Sequence, residues 1–255
     1  MLRIRVIPTL LLQNGGLVKG SEFTRHRYVG DPINAVRIFN EKEVDELVFL
    51  DIGATLQGKE PDFDLIRSIA TEAFMPFAYG GGITSCAQIE KLFYLGVEKV
   101  VLNSEAYRNP QLVRDASSIA GSASIVVSID TKNRLLRGST VRVRAGTHDT
   151  KEHAVDYARR VEELGAGEII HCAIDREGTQ KGYDLEMLRS ISEAVSIPVV
   201  AAGGAANLQD FVNAIKEGKA SAVAAGDMFV FHGKHKAVLI KYPAESELTE
   251  CWKQL

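Results

Sequence analysis

Residues 75–83 read MPFAYGGGI, and residues 197–205 read IPVVAAGGA. Each is a short, mostly apolar run that enters through proline and leaves through glycines. Such runs fit strands of a parallel sheet covered on both faces. The correspondence extends beyond the two runs. Gly81, Gly96 and Asn103 find counterparts at Gly203, Gly218 and Ala225, each 122 positions on, and Glu46 in VDELVFLDI stands at the same offset from Glu168 in AGEIIHCAID. One offset shared by four positions points to an internal duplication.

Working outward, further apolar runs alternate with amphipathic stretches. Strands are expected at Arg3–Leu10, Glu46–Asp51, Pro76–Gly80, Lys99–Leu102, Ser124–Ile129, Glu168–Ile174, Pro198–Ala202 and Ala220–Ala224. Eight such runs separated by helical segments predict an α/β fold, a (β/α)8 TIM barrel filling residues 1–255 as one domain. Its half-barrels fall at roughly 1–120 and 121–240. Asp31-Pro32, Pro110 and Asn207 read as helix starts. The stretch Asn133–Thr147, with Arg134, Arg137, Arg142 and Arg144, reads as a two-stranded extension after the fifth strand.

Composition bounds the function. The chain has 255 residues, 45% hydrophobic and 25% charged, with net charge −3. That balance gives no global attraction to nucleic acid or anionic membrane, and no run of 18 apolar residues suggests a span. The apolar N-terminus reads as a first strand, not a signal peptide. Cys86, Cys172 and Cys251 have no metal spacing, which fits a reduced, cytoplasmic chain without a metal or cofactor. His148, His153, His171, His232 and His235 form no ligand pattern, and Lys234, His235 and Lys236 read as a solvated face.

The chemistry concentrates where strands end. Gly80-Gly81-Gly82 and Gly203-Gly204 each close a strand, and glycine there lets backbone N–H groups approach an anion. Small residues close another strand 21 or 22 positions later, at Asn103-Ser104 and Ala225-Gly226. Adjacent strands of a barrel commonly frame a phosphate in this way. The arrangement occurs once per half, so a ligand with a phosphate at each end would satisfy both.

Several stretches are specific enough to carry a family resemblance: GLVKG at 16–20, GDPI at 30–33, DELVFLDI at 45–52, GGGI at 80–83, SID at 128–130, GAGEII at 165–170 and DREGTQKGYD at 175–184. With these the chain resembles HisF, the cyclase subunit of imidazole glycerol phosphate synthase, along nearly its whole length. The resemblance implies a bisphosphate ribonucleotide substrate, a HisH-like glutaminase partner in a heterodimer, and ring closure with the ammonia that partner supplies. It implies that Asp130 is a catalytic acid–base and that Lys19 is the lysine of a mobile first loop, with Asp51 at a neighbouring strand end. It places Gly82, Asn103 and Ser104 at one phosphate, and Glu177, Gly178, Gly203, Gly204, Ala225 and Gly226 at the other. It makes Arg5, Glu46, Lys99 and Glu168 a ring of charges through which ammonia enters.

The chain departs from the family at its first strand. The family pattern there carries a second catalytic aspartate; this chain reads TLLLQNGGLVKG, with Leu11 at that position, and no acid elsewhere in residues 1–21 replaces it. Loss of one proton-transfer group typically costs about 10²- to 10⁴-fold in rate. The LL-type first strand and YVGDPINAV followed by FNEKEVDEL, at 28–48, resemble a side branch of HisF-like proteins in acetamidino-sugar pathways of lipopolysaccharide and related surface polysaccharides. That branch implies ammonia delivery to a separate sugar amidotransferase. The alternatives are a histidine-biosynthesis cyclase and a non-catalytic scaffold that activates the glutaminase.

Overall fold

A computed structural model describes residues 4–134, 138–233 and 235–255. Arg3, Arg137 and Lys234 therefore lie outside the described residues. Eight strands form the barrel: β1 (Arg5–Gln13), β2 (Leu47–Asp51), β3 (Phe77–Gly80), β4 (Lys99–Leu102), β5 (Ile125–Arg134), β6 (Glu168–Ala173), β7 (Val199–Ala202) and β8 (Ala222–Ala225). Each pairs in parallel with its neighbours in sequence, and β8 pairs with β1, closing the barrel. An amphipathic helix follows every strand, as a parallel sheet requires for its crossovers.

Strand periodicity sorts the side chains. One set points into the barrel and packs as an inner cluster that includes Ile7, Val48, Ala78, Val101, Val126, Ile170 and Val200. The alternate set, with Phe49, Tyr79, Val127 and Ile169, packs outward against helix residues such as Phe39, Ile66, Leu188 and Phe211. The expected helix starts are in place. Asp31 Oδ1 accepts from Asn34 N at 2.9 Å ahead of Pro32, and Asn207 forms a capping box with Asp210. Pro110 precedes the helix Gln111–Ala120.

The structure refines three expectations. β1 runs on to Gln13, and the connection before the first helix folds as an antiparallel arm, Gly16–Ser21 with Thr24–Gly30, that carries Lys19. Likewise β5 runs past Ile129 to Arg134, so Asp130 sits within the strand. Its far half pairs with Gly138–Val143, which pairs with His148–His153, making the extension a three-stranded ladder. Within the expected solvated face, Lys236 stays partly exposed while its ammonium lies 3.0 Å from Asp227 Oδ1.

The glycine run at the end of β3 has a packing cause. Gly81 has φ +120°, and a Cβ there would stand 2.4 Å from the Asp51 carbonyl oxygen. Gly81→Ala should therefore destabilise the chain by about 2 kcal/mol or more. Urea unfolding should show a lower midpoint, and an unchanged midpoint would contradict the close approach.

Candidate functional site

The two ends of the barrel carry different chemistry. At the end where the strands begin, Arg5 (β1), Glu46 (just before β2), Lys99 (β4) and Glu168 (β6) converge. Arg5 Nη1 lies 2.5 Å from Glu46 Oε2, and its other terminal nitrogen pairs with Glu168. Lys99 Nζ lies 3.1 Å from Glu46 and 2.9 Å from Glu168. Each carboxylate thus touches both cations in a closed, alternating ring. The carboxylates are buried, whereas the cations remain partly exposed. Full mutual pairing meets the condition under which buried charges are tolerated. Around this end, Phe74, Tyr94 and Ile119 are 88%, 90% and 53% exposed, each at or just past the C-terminal end of a helix.

The opposite end opens into a cavity of about 1060 Å³. Its lining includes Leu11, Asp51, Gly82, Asn103, Ser104 and Asp130 on one side and Glu177, Gly203, Ala225 and Gly226 on the other. The strand register sets Leu11 beside Leu50 and Asp130 beside Cys172. Leu11 therefore brings an apolar side chain to the same mouth as Asp130.

Asp130 is the buried acid of this mouth. Ser128 Oγ donates to one of its oxygens at 3.1 Å, and Asn103 Nδ2 to the other at 3.2 Å. Burial pushes its carboxyl up to about 7, against the Ser128 hydrogen bond and with the Glu177 charge adding to the rise. A carboxyl that titrates near neutral pH can both take and give a proton.

Other expected site residues have local structural roles. Asp51 Oδ1 accepts from Gly53 N at 2.9 Å and Ala54 N at 3.0 Å, which fixes the turn after β2. Ser104 Oγ accepts from Arg144 N at 2.9 Å, tying the β4 end to the ladder tip. Gly204 has φ +113°, and a Cβ there would stand 2.2 Å from the Gly182 carbonyl oxygen. Gly178 packs under the Gly20 carbonyl oxygen, where a Cβ would come within 2.3 Å. Lys19, 3% exposed, ion-pairs with Glu177.

Sequence reading missed His26. It sits on the arm, lines the cavity beside Phe23, and packs over Gly20. Burial and the Lys19 charge lower its pKa, with Glu177 opposing. The only signal was its place in TRHRYV, eight residues after the conspicuous GLVKG began. His171, by contrast, faces outward from β6 and meets Thr131 Oγ1 at 3.0 Å; burial lowers it to about 4. Among the described residues no cluster of His, Cys, Asp or Glu could hold a metal ion, and no helix is long and apolar enough to cross a membrane.

Comparison with known proteins gives consistent matches. Residues 5–236 match the family described as Histidine biosynthesis protein. The chain is 49% identical over 248 residues to a Pseudomonas aeruginosa protein provisionally named imidazole glycerol phosphate synthase subunit hisF2, covering 97% of this chain and 99% of that one. It is 49% identical over 244 residues to a Leptospira borgpetersenii protein provisionally named subunit HisF, covering 95% and 96%. A Vibrio vulnificus protein provisionally named subunit hisF3 is 45% identical over 251 residues, covering 97% and 95%.

Asp130 ties stability to pH. Its folded pKa, about 7, lies above the unfolded carboxylate value, so the folded state holds a proton that the unfolded state releases. Its contribution therefore becomes destabilising as pH rises from about 4 to 7. Asp130→Asn should stabilise the chain at pH 8, on the order of 1–3 kcal/mol, with the gain vanishing below about pH 4. Thermal unfolding across that range checks this; equal gains at both ends would refute it.

Proposed function

The chain belongs to the histidine biosynthesis protein family and to its HisF branch, and on that premise we propose that it is the barrel subunit of a glutamine amidotransferase complex whose task is to deliver ammonia. The observation that carries this reading is the pairing of a complete Arg5–Glu46–Lys99–Glu168 ring with an apolar Leu11 at the mouth. A HisH-like glutaminase would seat on the end bearing the ring, where Phe74, Tyr94 and Ile119 offer exposed apolar surface. Ammonia would pass the ring and the apolar interior to reach the mouth. There it would meet a phosphorylated ligand in the cavity or pass to a separate sugar amidotransferase, as in acetamidino-sugar synthesis for surface polysaccharides.

A second reading is the ordinary cyclase. Asp130, poised near neutral pH, favours it. Cyclisation needs several proton transfers, each by a titratable group within about 3 Å of the reacting atom or one water away. A leucine methyl supplies none, which leaves Asp130 alone where the family has two aspartates.

The purified chain, given ammonium and the bisphosphate ribonucleotide, should turn over well below about 1 s⁻¹, while still stimulating its glutaminase. Leu11→Asp should raise cyclase turnover by about 10²-fold where the cavity accepts that substrate. Lys99→Ala should uncouple glutamine hydrolysis from nitrogen transfer, because Glu46 and Glu168 would be left with Arg5 alone. Robust wild-type turnover with ammonium would restore the cyclase and sink delivery as the main role.

A further inference from the structure

A cation lies just behind the Glu177 side of the cavity. Glu177 lines the cavity while Lys19 lies behind it, their side chains 14% and 3% exposed. The Lys19 ammonium rests over Gly226: a Cβ at that glycine would stand 2.5 Å from Nζ. Gly226 therefore serves as the seat of an ammonium, a role its sequence context did not suggest. Lys236, another cation near this end, is engaged by Asp227 and by the Gly178 carbonyl oxygen, at 3.0 and 3.1 Å.

We propose that Lys19 is the anion-binding cation of this end and that Glu177 is its internal counterion, which the phosphate of an entering ligand displaces. A buried ammonium needs a charged partner, and Glu177 supplies one in the empty site. A phosphate offers the same ammonium more acceptor oxygens and more charge. Glu177, the partner nearer to the open cavity, can rotate into it, whereas Lys19 cannot follow. The backbone of its arm is clamped independently of the carboxylate: Glu22 N donates to the Glu177 carbonyl oxygen at 2.9 Å, and Gly20 packs directly on Gly178. The exchange swaps one anion for another and leaves Lys19 paired throughout. Glu177 thus sets the affinity of this end for anions by competing with them.

This inference rests on reading the mouth as a ligand site. Its test uses the chain alone, without a glutaminase, so failure of ammonia delivery and failure of the exchange are separate results. Inorganic phosphate is titrated calorimetrically into the wild type, Glu177→Gln, and Glu177→Gln with Lys19→Met. Glu177→Gln keeps the side-chain volume but removes the competing charge. It should tighten phosphate binding by about tenfold, and adding Lys19→Met should abolish the gain. Unchanged or weaker binding in Glu177→Gln, or a gain that survives without Lys19, would overturn the proposal. Should Glu177→Gln not fold, the wild type still decides. The Lys19 side-chain nitrogen resonance, assigned by its loss in Lys19→Met, should shift on adding phosphate, and a resonance unmoved at saturation would refute the exchange.

Discussion

A closed parallel barrel imposes one constraint on everything inside it. Strand residues alternate between interior and exterior, so each strand delivers a column of inward side chains spaced two residues apart. On β1 that column is Arg5, Ile7, Thr9 and Leu11, and on β6 it is Glu168, Ile170 and Cys172. On β5 it climbs from Val126 through Ser128 to Asp130. The column begins in charge, continues through an apolar plug and ends at the mouth. A register slip of one residue would turn every member outward. The ring, the plug and the floor of the cavity are therefore held mainly by a single geometric fact, completed by residues just off the strands such as Glu46 and Glu177.

That constraint explains what was legible in the sequence. Runs such as VFLD and IVVSI declare strands buried on both faces, and capping residues such as Asp31 and Asn207 declare the helices between them. Residues at strand ends consequently lie where their strands lead: Arg5, Glu46, Lys99 and Glu168 at one end of the barrel, and Gly82, Asn103 and Gly203 at the other. What the sequence hid was the excursion of β1 beyond the barrel and the third strand of the ladder that follows β5. TRHRYV and HDTKEH are too polar to show the alternation of a half-buried strand, because they pair as an arm and a ladder over the mouth instead of packing on a core. His26 and the burial of Lys19 followed that oversight. Both depend on the arm folding down onto Gly178.

The electrostatics at the two ends are built on opposite logic. Around the ring, two carboxylates and two cations each touch both opposite charges, and removal of any one leaves its neighbours under-paired. Such a network has one stable arrangement. At the mouth, Asp130 has only neutral donors, Ser128 and Asn103, so burial dominates and the proton is held loosely near neutral pH. Lys19 and Glu177 form a single pair, of which Glu177 faces the cavity. Paired charges make the first end stiff, while sparse pairing keeps the second end responsive to whatever enters it.

Leu11 is best understood within that contrast. Burying a carboxylate with neutral donors alone costs free energy, as the raised pKa of Asp130 records. A second acid at position 11 would face the same mouth, and two carboxylates in one low-dielectric space resist joint ionisation. Leucine removes that conflict at the expense of a proton-transfer group. A buried four-charge ring, by contrast, brings no comparable stability over an apolar layer of the same volume. Stability alone thus accounts for Leu11 but not for the ring. The ring's four charges close the end of the barrel opposite the mouth, on the axis along which a small neutral molecule would travel. Their presence is the part of this structure that the proposed delivery of ammonia would explain, whatever chemistry occurs at its far end.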